Sequence, residues 1–214
     1  IYREEEWQKV FIHETFHCFC FDVAPHIEKN INVNVSKLFG VSSKLNVAEA
    51  YCETWARIIN AGYASYVSTK RGNNSMEEFA VYFNFSIEIE KMFSLVQMKK
   101  ILYYQDIDFK ILINGNANNK QVFNREDHTT NVFGYYVLAG ILMNGYIDFI
   151  KWCEKHNTNL FIFPHVSVKN SSFVDLIKKC RDKEPCISSV KSITGEQDKF
   201  LKTTTRMSSI EVFY

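Results

Sequence analysis

Hydrophobic and polar positions along the chain follow helical spacing far more often than strand alternation. From residue 4 to about 23, Trp7, Val10, Phe11, Phe16, Phe19 and Val23 surround a helix with few charges among them, the pattern of a segment buried on most sides. Glu4, Glu5 and Glu6 suit the positive end of that helix, and Pro25 closes it. The next stretch carries Asn30, Asn32 and Asn34 and reads as a polar loop. Asn46, three residues ahead of Glu49, then gives a capping-box-like start to a helix through Ala48, Cys52, Trp55, Ala56 and Ile59, ending near residue 67.

After a loop at 70–75, residues 76 to about 103 form a long helical pattern with Phe79, Phe83, Ile87, Met92 and Val96 facing inward. An Asn-rich loop spans 114–124. Residues 130–157 are helical again, with a kink at Asn144-Gly145, and 160–163 reads as a short strand or extended turn. A last amphipathic helix covers 171–181. Beyond it Ser, Thr, Lys and Gly predominate, with weak strand signals only, such as Ile210-Glu211-Val212-Phe213. The expected organisation is one domain over 1–182 and a polar C-terminal extension over 183–214, lying along a partner or along the domain surface.

Composition agrees with a mainly α fold, α+β at most: Phe (18) and Tyr (11) are abundant, Pro (3) and Gly (8) scarce, which disfavours a many-stranded sandwich. A net charge of +1, with no basic patch interleaved with aromatics, argues against nucleic acid as a partner. The most apolar stretch, 132–150, is broken by Asn144, Gly145 and Asp148, so no membrane span is expected. The six cysteines include no CxxC pair, and Cys18 and Cys20 would diverge on a helix; free thiols in a reducing, cytoplasmic setting are expected. The chain starts at Ile1 and not at a methionine, which leaves room for an N-terminal targeting segment.

The chemistry concentrates in His13-Glu14-Thr15-Phe16-His17. Residues four apart stand on one helix face, so His13 and His17 can offer ring nitrogens to one metal ion. Glu14, at the edge of that face, can reach a water on the metal without taking a ligand position. Val10 and Phe11 before the motif, and Cys18 and Phe19 after it, are uncharged, so two histidines here would be costly unless paired or ligating.

These ten residues resemble the active-site helix of the HExxH zincin metallopeptidases. The metzincin pattern would need Gly at position 20 and His at 23, where this chain has Cys20 and Val23, and Asp22 reads as a surface or capping residue. The resemblance is therefore to the gluzincins, the thermolysin-like class, in which a Glu from a following helix completes the metal site. The segment Glu49-Ala50-Tyr51-Cys52-Glu53-Thr54-Trp55-Ala56 offers such a helix, and Glu53 with Ala56 has the Glu-x-x-Ala spacing of gluzincin ligand helices. Glu49 and Glu53 are both candidates. Glu49 is suited to fold back on the helix cap, whereas Glu53 lies deeper with Arg57 one turn on, so Glu53 is the expected third ligand and Glu49 a cap or neighbour.

The resemblance implies a zincin-like helical domain in which the HExxH helix packs on a Glu-bearing helix, with a small sheet or extended tail. It implies Zn2+ held by His13, His17 and Glu53, and hydrolysis of peptide bonds by a zinc-bound water that Glu14 activates. His128, ahead of an aromatic helix, is the expected oxyanion donor, with Tyr135 and Tyr136 competing for that role. His26, His156 and His165 read as surface residues. One departure stands: gluzincins carry a sheet ahead of the catalytic helix, and this chain enters that helix almost at once.

The chain is also similar to uncharacterised metallopeptidase-like proteins of large DNA viruses, in its HExxH helix, its EAYCETWA segment and its late aromatic helix ending in Phe149-Ile150-Lys151-Trp152-Cys153. That adds association with virions to the localisation reading. Expected partners are a peptide or protein substrate and, through the C-terminal tail, a protein. The competing expectation is a non-catalytic, zinc-containing structural or interaction protein that keeps a zincin scaffold.

Overall fold

The computed structural model describes residues 4–42, 45–72, 75–115, 131–157, 159–162, 170–183, 203–204 and 206–211. Eight α-helices follow one another in these residues: α1 (Trp7–Cys18), α2 (Pro25–Phe39), α3 (Val47–Arg71), α4 (Met76–Tyr104), α5 (Phe109–Ile113), α6 (Ala139–Asn144), α7 (Tyr146–His156) and α8 (Asn170–Arg181). A 3-10 turn, Glu4–Glu6, leads into α1, and a π-helical segment, Phe133–Leu138, leads into α6. The fold is mainly α as expected. Among the described residues the small sheet does not form, and the described part of the strand signal, 160–162, is a tight turn with one bridge between Asn159 and Ile162; Phe163 lies outside the described residues.

α3 is the hub. Nearly every side chain from Val47 to Ala61 is buried, because α1, α4 and the π segment with α6 pack around it. Ala50, Ala56 and Ala61 let the neighbours come close, and Tyr51 and Trp55 fill the space between them. The Phe16 ring stacks on Trp55, locking α1 to α3 with 6.3 Å between ring centroids. A bend of 91° separates the 133–144 helical stretch from α7. The kink expected at Asn144-Gly145 is therefore sharp, and it needs glycine: a Cβ on Gly145 would stand 2.2 Å from the Cys180 Sγ of α8. Among the described residues no single helix is long and apolar enough to cross a membrane.

Two expectations are overturned. The polar loop after Pro25 is helix α2. Ile27, Ile31, Val35 and Phe39 recur every fourth residue and are buried, Pro25 takes the first helical position, and Gly40 ends the helix with φ +63°. Asn32 does more than face solvent: its side-chain oxygen accepts the Val47 amide and so helps to cap α3.

The first helix also ends earlier than expected. α1 stops at Cys18, and Cys20 adopts φ +54°, a left-handed conformation that turns the chain back before Val23. Asp22 is carried by this turn to His17. Cys18, Cys20, Cys52, Cys153 and Cys180 are free thiols, as expected. Of the C-terminal extension, the described part lies along the body: Ser208 is buried, and Thr204 and residues 206–210 hydrogen-bond to α3, α4 and Glu6.

Candidate metal centre

His13 and His17 stack one turn apart on α1, and both rings point at the start of α3. There Asn46 caps the helix, its side-chain oxygen accepting the Glu49 amide at 3.3 Å. The cap fixes Glu49 in the first turn, and its carboxylate divides its two oxygens. Oε1 accepts from the Asn46 side chain at 3.3 Å, and Oε2 faces the histidines.

Three ligand atoms converge there. His13 Nε2 lies 3.2 Å from His17 Nε2 and 3.2 Å from Glu49 Oε2, and His17 Nε2 lies 3.3 Å from the same oxygen. Zinc–nitrogen and zinc–oxygen bonds of about 2.0–2.1 Å at tetrahedral angles put neighbouring ligand atoms roughly 3.3 Å apart. The near-equilateral triangle of Nε2, Nε2 and Oε2 is one face of such a tetrahedron. Two imidazoles and one carboxylate suit zinc, and the residues fit the ion.

The outer nitrogens are supported as well. His17 Nδ1 lies 2.8 Å from Asp22 Oδ2, and His13 Nδ1 lies 3.3 Å from Glu53 Oε2, at ion-pair distance but poorly aligned for a hydrogen bond. Carboxylates behind both rings hold their Nε2 atoms toward one point, the usual support of metal-ligating histidines. Asp22, read from the sequence as a surface or capping residue, is thus part of the centre. Cys52 lies behind the same ring, its Sγ 3.9 Å from His17 Nδ1; burial pushes its thiol pKa well up, so it stays neutral.

Glu53, expected as the third ligand, is not at the triangle. It is fully buried, and Lys9 Nζ donates to its two oxygens at 2.9 and 3.0 Å while Arg57 Nε donates at 2.9 Å. Two cations claim the carboxylate one helical turn below the site, so it stands behind His13, and it is Glu49 that joins the two histidines in the group able to hold an ion. The sequence carried a signal for this. Lys9 sits four residues before His13 on the buried face of α1, and a buried lysine demands a buried carboxylate.

Tyr135 completes the wall opposite α1. Its ring centroid lies 5.7 Å from that of His13, and its hydroxyl hydrogen-bonds Glu49. It stands in the π segment, a helix form enriched at functional sites. Gly134 makes the approach possible, since a Cβ there would lie 2.7 Å from the Asn46 carbonyl oxygen.

The electrostatics are those of a site that holds protons when it holds no metal. Burial pulls His13 down, but the hydrogen bond to Glu49 and the nearby charge of Glu53 outweigh it and raise its pKa above the ordinary value. Hydrogen bonding to Glu49, with Asp22 behind it, pushes His17 up to about 9. Burial pushes Glu49 up, yet the two histidines and Tyr135 together hold its carboxyl far below the usual range. Burial and then Glu49 push Tyr135 well up, so its hydroxyl stays a donor.

Glu14 is exposed beside His13. It follows His13 directly on α1, and its charge contributes weakly to the field at Tyr135 and Cys52. His128 and His165 lie outside the described residues. His26 is exposed as expected, but His156 is not a plain surface residue: its ring stacks on Trp152 at 4.4 Å and it pairs with Ser172 at 2.9 Å. No protein-family model, curated protein or solved structure matches this chain.

Proposed function

We propose that this chain is a zinc-dependent metallopeptidase in which His13, His17 and Glu49 hold the ion and Glu14 is the general base. The observation that carries the reading is the triangle of Nε2, Nε2 and Oε2 with a carboxylate beside it on the same helix. Structural zinc sites are closed by four protein ligands, whereas hydrolytic sites keep a position open. Among the described residues three ligand atoms converge, and His17 and Glu49 are only half-buried, so the group is reachable from the surface. This favours the enzyme over a zinc-containing structural or interaction protein.

When bound, zinc supplies Lewis acidity, lowering the pKa of water toward about 7 and polarising a carbonyl. The chain's own residues do the rest. Glu14, exposed beside His13, takes the proton as water attacks the peptide carbonyl, and returns it to the leaving amine. Asp22, paired with His17 Nδ1, keeps that imidazole with Nε2 toward the ion, and the Glu53 charge stands behind His13 Nδ1. Tyr135 holds the Glu49 carboxylate in place from the wall opposite α1, its hydroxyl kept as a donor.

The test is a pair of measurements on one preparation. About one zinc per chain is expected, together with cleavage of some members of a broad peptide library. Glu14→Gln should keep the zinc and lower turnover by about 10²–10⁴-fold. A Glu14→Gln variant that cleaves as fast as the parent overturns the mechanism, and a zinc-loaded parent that cleaves nothing in the library returns the chain to the structural reading.

A further inference from the structure

Glu6 and Glu90 are buried carboxylates far apart in sequence, and one segment supplies donors to both. Glu6 Oε1 accepts the amides of Met207 and Ser208 at 2.8 and 2.9 Å. Glu90 Oε1 accepts the amides of Ser209 and Ile210 at 2.6 and 3.1 Å and the hydroxyls of Ser208 and Ser209 at 3.0 and 2.5 Å. Four consecutive backbone amides of the tail therefore end on two buried acids. Gln97 and Lys100 of α4 and Asn60 of α3 donate to the tail carbonyls of Arg206, Thr204 and Ile210.

These partners sit on the elements that build the metal centre. Glu6 immediately precedes α1, which carries both histidines, and it makes no side-chain cap to that helix because its carboxylate is turned to the tail. Asn60 belongs to α3, which carries Glu49 and Glu53. From Glu90 a buried polar path leads inward. Its carbonyl accepts the Ser94 hydroxyl at 2.7 Å, Arg57 donates to that hydroxyl and to Glu53, and Glu53 lies against His13 Nδ1.

We infer that the stretch 206–210 is a positioning element of the metal centre: it pins the start of α1 to α3 and α4 and holds the Arg57–Glu53 support of His13 in register. This rests on the reading of His13, His17 and Glu49 as metal ligands. Buried acids that lose amide donors keep their desolvation cost, so they pull toward water. Loosening this end shifts α1 along α3, and a zinc site tolerates little misplacement of its ligands.

The test uses full-length variants. Glu90→Gln removes the acceptor charge, and Ser209→Pro removes one tail amide while leaving every helix residue intact. Ser209→Thr keeps both amide and hydroxyl, and Glu88→Gln is an exposed control on the same helix. Helix content is checked by circular dichroism, zinc affinity by competition with a chromogenic chelator, and ligand geometry by the visible bands of the cobalt(II)-substituted protein. With helix content retained, Glu90→Gln and Ser209→Pro should lower zinc affinity about 10–100-fold and shift the cobalt bands, and Ser209→Thr and Glu88→Gln should match the parent. Parent-like affinity and bands in both of the first two variants overturn the inference. Loss of helix content in both does so too, since the segment would then hold the fold and not the centre. A parent that takes up no zinc removes the metal reading itself, an outcome distinct from zinc uptake that ignores the tail.

Discussion

Glu49 and Glu53 occupy the same face of the same helix, one turn apart, and end in different chemistry. At the mouth, Glu49 is half-buried and faces two imidazoles and a tyrosine hydroxyl, groups that can exchange a proton for a metal ion. In the interior, Glu53 is fully buried between Lys9 and Arg57, whose donors occupy both of its oxygens. Residue type and helix position do not separate the two. Their neighbours from α1 do: Lys9 meets Glu53, and the next two turns of α1, His13 and His17, meet Glu49.

The comparison breaks most directly at the interior. Glu53→Ala would leave Lys9 and Arg57 buried without a counter-charge, and breaking a buried pair this way costs roughly 3–5 kcal/mol. Urea unfolding of the zinc-free protein should show that loss. Glu49→Ala, near the surface, should cost far less in the same experiment, and equal losses would mean that the two environments are not as different as their burial indicates.

Zinc affinity should invert the ranking. Changing outer partners of ligands already costs 10–100-fold, and Glu49→Ala removes a ligand, so it should weaken zinc by more than about a hundredfold, or roughly 2.7 kcal/mol. If Glu49→Ala binds zinc like the parent while folded Glu53→Gln does not, the ligand assignment belongs to Glu53 after all. Tyr135→Phe tests the mouth more gently, since it removes the hydroxyl that steadies Glu49 and keeps the ring against His13. A loss of about tenfold in zinc affinity, near 1.4 kcal/mol, is expected, with folding stability almost unchanged.

How much of this could be read from the chain follows the range of the interactions. The HExxH face, the Asn46 cap and the Gly145 kink are local, set by residues within one turn, and each stands where the sequence put it. Helix α2 was equally local in its Ile27, Ile31, Val35 and Phe39 stripe, but the intervening asparagines outweighed the stripe in a reading by composition. Asp22 was misplaced because the end of α1 depends on the left-handed turn at Cys20, a position where neither Gly nor Asn announces it. The choice between Glu49 and Glu53 needed the register of α1 against α3, a contact across more than thirty residues. Lys9 held the hint, since only one of the two acids can be its partner.

The smallest effect separates the two regions by pH. In the metal-free protein His17 is raised from 6.5 to about 9 and His13 is raised as well. A raised histidine contributes stability that is fully present below its unfolded value and is lost as pH climbs through the folded one. The mouth should therefore weaken between about pH 6.5 and 9. Glu53 is lowered from 4.5, chiefly by Lys9 and Arg57 against the cost of burial, so its contribution is present above 4.5 and fades only below it. Zinc competes with protons for the same nitrogens, so its affinity should rise through the window in which metal-free stability falls. Melting temperatures of the zinc-free protein should decline from pH 6.5 to 9, and the zinc-loaded protein should not show that decline. In Glu49→Ala the alkaline slope should flatten, because the group that raises both histidines is gone; a slope that persists unchanged would place their pairing elsewhere.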